Sequence, residues 1–117
     1  MSRTKWHILT EDGALTLARR LPVRFDLSVE TRLPRCGRRR LATQVRQDMW
    51  RCLQALPGFS PVVRIEDDGD ALTVIAGGQV DRRPFPKEKA EAKLREMLLD
   101  RNNRVRWVAC AGGFCYG

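Results

Sequence analysis

Residues 23–32, Val-Arg-Phe-Asp-Leu-Ser-Val-Glu-Thr-Arg, alternate apolar and polar with a period of two. That period predicts a half-buried strand, with Val23, Phe25, Leu27 and Val29 facing a core. Pro34 and Gly37 break the run, and from 38 to 56 the period lengthens. Leu41, Val45, Met49, Cys52, Leu53 and Leu56 recur every three or four residues, the apolar stripe of a helix. Pro57-Gly58 ends it, because proline cannot continue a helix and glycine takes the left-handed turn. Residues 61–66 and 71–76 are β-prone runs joined by Asp67-Asp68-Gly69-Asp70, a hairpin signal. Gly77-Gly78 and Pro84-Phe85-Pro86 read as a loop. Ala90, Leu94, Met97, Leu98 and Arg101 set out a second helix, with Asn102-Asn103 as its cap. Val105, Trp107 and Ala109 then alternate with Arg106, Val108 and Cys110, which predicts a last strand.

The predicted order from residue 23 is therefore β-α-β-β-α-β. This resembles, in topology alone and over residues 23–111, the ferredoxin-like split βαβ fold, an α+β sandwich. The resemblance implies both helices on one face of a four-stranded antiparallel sheet, leaving the other face open. Residues 1–22 form an N-terminal extension expected to pack on the domain, at a sheet edge or on the open face. Within it, 5–10 suits a strand, and 14–21 fits a strand and a helix equally well. Residues 112–117 are a short tail.

Composition adds that 117 residues with 43% hydrophobic content suffice for one domain with one core. The longest uncharged stretch, 52–63, is twelve residues broken by Pro57, Gly58 and Pro61, far short of a membrane helix. The apolar run near the N-terminus is too short for a signal-peptide core, so the expected location is the cytoplasm. No membrane partner is expected.

Charge changes the picture more by position than in total. The net charge is +8, from 22 Lys+Arg against 14 Asp+Glu. Residues 1–60 carry twelve basic and five acidic side chains, against ten and nine in 61–117. Such asymmetry is the footprint of an anionic partner, most often nucleic acid. A GC-rich coding sequence would also produce it, since 18 of the 22 basic residues are arginine.

The strongest candidate site is Arg-Leu-Pro-Arg-Cys-Gly-Arg-Arg-Arg, residues 32–40. Arg38, Arg39 and Arg40 fall in the first turn of the predicted helix, where unpaired N–H groups already carry partial positive charge. Each cation there costs ~0.3–1 kcal/mol at low salt, which a bound phosphate would offset. A solvated cluster, screened by salt, is the plainer alternative. Arg35 and Arg46 extend the basic set. Trp50 lies off the apolar stripe beside Arg46, as a stacking platform for a base or a hot spot for a protein partner. Packing under the N-terminal segment, against Trp6 or Ile8, explains it equally well. The expected function is thus a small nucleic-acid- or phosphate-binding module using Arg35, Arg38, Arg39, Arg40, Arg46 and Trp50, with RNA, DNA or another phosphate-bearing ligand as partner. The alternative is a non-catalytic interaction or assembly module, with a protein partner or as a homodimer.

Other chemistries find less support. The open-face positions Asp26, Ser28, Glu30, Thr73 and Ile75 hold no aromatic, unlike an RNA-recognition motif. No phosphate-binding glycine loop is present. Cys36 stands alone where copper chaperones carry Cys-x-x-Cys, although the arginines around it would be expected to lower its pKa. Cys110 and Cys115 have no zinc-knuckle spacing. His7 is the single histidine, and Asp67, Asp68 and Asp70 lack the terminal Glu of a calcium loop. The sequence therefore suggests no catalytic set, cofactor or metal.

Overall fold

A computed structural model describes residues 6–112. These residues fold as a mixed α+β domain, with one five-stranded antiparallel sheet and three helices. In order these are β1 (His7–Glu11), β2 (Ala14–Ala18), β3 (Leu27–Leu33), α1 (Arg38–Leu53), β4 (Phe59–Asp67), β5 (Leu72–Val80), α2 (Lys87–Leu99) and α3 (Arg101–Cys110). The strands lie in the order β1-β2-β4-β5-β3. Residues 6–18, set apart by the sequence as an extension, thus supply two strands of the one sheet. Asp12 and Gly13 turn the hairpin between them, with Gly13 at φ +70.

Period two assigns the faces. Leu15, Leu17, Val63, Ile65, Val74, Ala76, Val29 and Leu33 point to the helices and are buried. α1 packs on β4 and β2, α2 packs on β3, and α3 closes against α1 and α2. The stripe of α1 buries Leu41, Val45, Met49 and Leu53, while Cys52 and Leu56 are only half-buried against the same core. The other sheet face bears no helix among the described residues; Ser28, Glu30, Arg32, Arg64, Glu66, Thr73 and Ile75 lie on it.

This strand order does not confirm the ferredoxin-like arrangement. The fourth strand expected at 105–110 is the helix α3, and nothing pairs with the outer side of β3 among the described residues. The alternation of Val105, Trp107 and Ala109 is outweighed by a helical set: Trp107, Val108 and Ala111 are buried, and Arg104 lies one turn before them. Asp100 separates α2 from α3. Its backbone is extended and its carboxylate accepts the Asn103 N–H at 3.0 Å, an N-cap. Asn102 and Asn103 therefore begin a helix rather than end one.

Two further boundaries move. β3 starts at Leu27, and Val23 and Phe25 are half-buried connection ahead of it. Gly77 and Gly78 lie inside β5, not in a loop. A Cβ on Gly77 would sit 2.0 Å from the Leu27 carbonyl oxygen, and one on Gly78 2.2 Å from that of Ser60. Here glycine marks close approach of neighbouring strands. No helix among the described residues is long and apolar enough to cross a membrane.

Candidate functional site

The N-terminus of α1 is formed as the sequence implies, with Gly37 as N-cap and no side-chain cap. The Gly37 N–H is not free for a ligand, because it donates to the Ala111 carbonyl at 2.9 Å. The carbonyl end of α3 thus meets the amide end of α1, and its partial negative charge offsets part of the penalty on the three arginines. Arg38 is half-buried, whereas Arg39 and Arg40 are exposed. Among the described residues none of the three makes an ion pair. Arg39, Arg40, Thr43, Gln44 and Cys110 line an open depression of about 480 Å³.

Arg35 does not join this cluster. Its guanidinium grips Asp67 with both terminal nitrogens, at 3.0 and 2.9 Å, and donates to the Gly69 carbonyl at 2.8 Å. It ties the chain entering α1 to the β4–β5 turn. Other arginines are matched in the same way: Arg32 with Asp68, Arg64 with Glu66, Arg20 with Asp81. Arg24 and Arg83 both reach Asp26, whose side chain is 8% exposed and also accepts the Val80 N–H at 2.7 Å. Asp26, expected on the open face, instead locks the entry to β3 against the end of β5. The Val80 N–H, then the Arg24 hydrogen bond, hold its carboxyl below the ordinary value.

Further along α1, Arg46 and Trp50 line a second cleft, of about 370 Å³, with Trp6, Arg19, Gln47 and Arg51. The Arg46 guanidinium carbon lies 4.4 Å from the centroid of the Trp6 ring, a cation–π contact. Arg46 therefore stacks on Trp6, not on Trp50, and Trp50 stays 44% exposed. The Arg46 Nε is buried without a hydrogen-bond partner, and burial pulls the guanidinium below its ordinary pKa. At 3.6 residues per turn, Arg39, Thr43, Arg46 and Trp50 follow one line up α1. Trp6, which the sequence offers as a packing partner for Trp50, lines the cleft as well; Arg19, Gln47 and Arg51 complete it and were not singled out by sequence.

The helix-free sheet face carries no Phe, Tyr or Trp on its strands among the described residues, and its one ring is that of His7 on the edge strand, so its centre offers bases no stacking platform. Cys36 and Cys52 are half-buried free thiols whose pKa is pushed up by burial, against the expectation that arginines would lower that of Cys36. Cys110 is free and exposed, and Cys115 lies outside the described residues. No group of three or more His, Cys, Asp or Glu among the described residues is placed to hold a metal ion. The chain matches no protein family, no curated protein and no solved structure.

Proposed function

We propose that this protein is a small nucleic-acid-binding module whose contact surface is the outer face of α1. One observation carries the reading. Arg20, Arg24, Arg32, Arg35, Arg64 and Arg83 are each matched to a carboxylate, whereas Arg38, Arg39 and Arg40, consecutive on one helical turn, are matched to none among the described residues. Unneutralised arginines gathered at one place are what a phosphate backbone requires. Arg46 continues the cationic line, and the exposed ring of Trp50 gives a base something to stack on, which favours single-stranded over duplex ligands. We also read β3-α1-β4-β5-α2 as a ferredoxin-like unit lacking its last strand; the position of β5 between β3 and β4 supports this.

The test is titration of the full chain with labelled single-stranded RNA and DNA, and with duplexes, at two salt concentrations. Binding should weaken steeply with salt. R38A/R39A/R40A should reduce the log–log salt slope by about 2, at ~0.7 for each single-strand phosphate no longer neutralised. Absence of binding at low salt would discard the reading. A second reading, an assembly module, is favoured by the outer edge of β1, which pairs with no strand among the described residues.

A further inference from the structure

We propose that β1 is a self-association edge, through which two copies of this chain join antiparallel about a two-fold axis at Leu9. The two edges of the sheet are treated differently. On β3, the Ser28 N–H donates to Glu91 at 3.0 Å, and the Arg32 carbonyl accepts from Arg104. A second Arg104 nitrogen donates to the Thr31 hydroxyl at 2.8 Å. Side chains from α2 and α3 thus occupy two of the backbone groups that another strand would use, and Glu30 and Arg32 add charge to that edge.

β1 is protected less: its one acid, Glu11, sits at the end of the strand, 3.9 Å from Arg64. No side chain of the described residues hydrogen-bonds to its backbone, and the strand contains no proline, lysine or arginine. Its middle residues are apolar on both faces: Ile8 is 36% exposed on the helix side and Leu9 37% exposed on the other. An edge with an apolar residue on each face, and with no strand beside it among the described residues, can pair with another strand.

The sequence of β1 is complementary to itself. In an antiparallel pair centred on Leu9, Leu9 meets Leu9 of the second copy and Ile8 meets Thr10. His7 then faces Glu11 on both sides of the axis, so one potential cation–anion pair forms at each end. Centring on Thr10 instead would set Leu9 against Glu11. Antiparallel continuation keeps equivalent faces on the same side, so both five-stranded sheets merge with their helices together. The two α1 faces would then flank the seam. This edge pairing does not depend on the ligand proposed above.

Sedimentation of the full chain from low micromolar to sub-millimolar concentration tests it. The wild type should shift from monomer to dimer. L9R should weaken association about tenfold or more, by losing an apolar pair and opposing two cations. H7E, which sets two carboxylates face to face at each end of the pair, should weaken it several-fold. H7E/E11K should restore association by reversing the charges. Circular dichroism checks that each variant remains folded, and H7E/E11K recovery separates pairing from a folding defect. A wild type that stays monomeric throughout, an L9R variant that associates like wild type, or no recovery in H7E/E11K would overturn the proposal.

Discussion

Asp48, on the middle of α1, accepts the indole N–H of Trp107 on α3 at 2.6 Å. Trp107 is fully buried, so its N–H has to find a protein acceptor. Arg106 reaches the same carboxylate from the exposed side. One acid thus satisfies the largest core side chain and anchors α3 across α1.

Removing Asp48 should therefore cost more than a surface charge. D48A is expected to lose about 1–3 kcal/mol, because the indole N–H is left buried and unpaired. W107F removes that donor and leaves a smaller cavity. The double variant D48A/W107F should be less unstable than the sum of the two singles, a coupling readable by urea denaturation. Strict additivity would show that Asp48 does not act through Trp107.

That contact also shows where sequence stops. The α1 stripe and the strands β3, β4 and β5 are legible because local period alone fixes which side chains face inward. Residues 104–111 show an alternation as well as a helical set, and what Trp107 packs against, including Asp48, lies far away in the chain, 59 positions in the case of Asp48. Gly77 and Gly78 look like a loop because their neighbours, Leu27 and Ser60, are tertiary. At the candidate site, the arginine run on the first turn of α1 is visible in the sequence. That Asp67 removes Arg35 from it, and that Trp6 supports Arg46, depends on packing between distant segments.

Gly77 gives the sharpest steric prediction. G77A places a methyl into the Leu27 carbonyl on the neighbouring strand, and backbone cannot rotate away as a side chain can. A loss of about 3 kcal/mol or more is expected, with β3 the first element to lose amide protection. G69A, at φ +97 but with open space around it, should cost only ~1 kcal/mol of backbone strain. Equal losses in the two variants would refute the close approach of β3 and β5.

Acid sensitivity should trace to carboxylates held below their ordinary pKa. Asp26 is lowered chiefly by the Val80 N–H, Asp68 by the Ala71 N–H, and Asp81 by the Gln79 side chain. A depressed folded pKa gives stability that is present above the unfolded value of ~3.9 and lost as pH falls through the folded value. Denaturant midpoints should thus fall as the pH is taken below about 4. D26N has no such carboxyl at 26, so it should be less stable at neutral pH and lose less on acidification. An unchanged acid dependence in D26N would mean that Asp26 is not held in the charged form by these contacts.

Arg46 separates stability from binding. Its guanidinium gains ~0.5–1 kcal/mol over the Trp6 ring, but its buried Nε is unpaired among the described residues, which costs about 1–3 kcal/mol. R46M keeps the aliphatic bulk against Trp6 while removing both the charge and the orphan donor. Its stability should equal or exceed that of wild type, by up to about 2 kcal/mol. If α1 binds nucleic acid, R46M should still weaken the complex and reduce the salt slope by ~0.7, the share of one single-strand phosphate. W50A, by contrast, should lose about 1–3 kcal/mol of single-strand affinity with the salt slope unchanged, since stacking releases no counterions. Stable R46M and W50A proteins that bind like wild type would place the contact surface elsewhere than this face of α1.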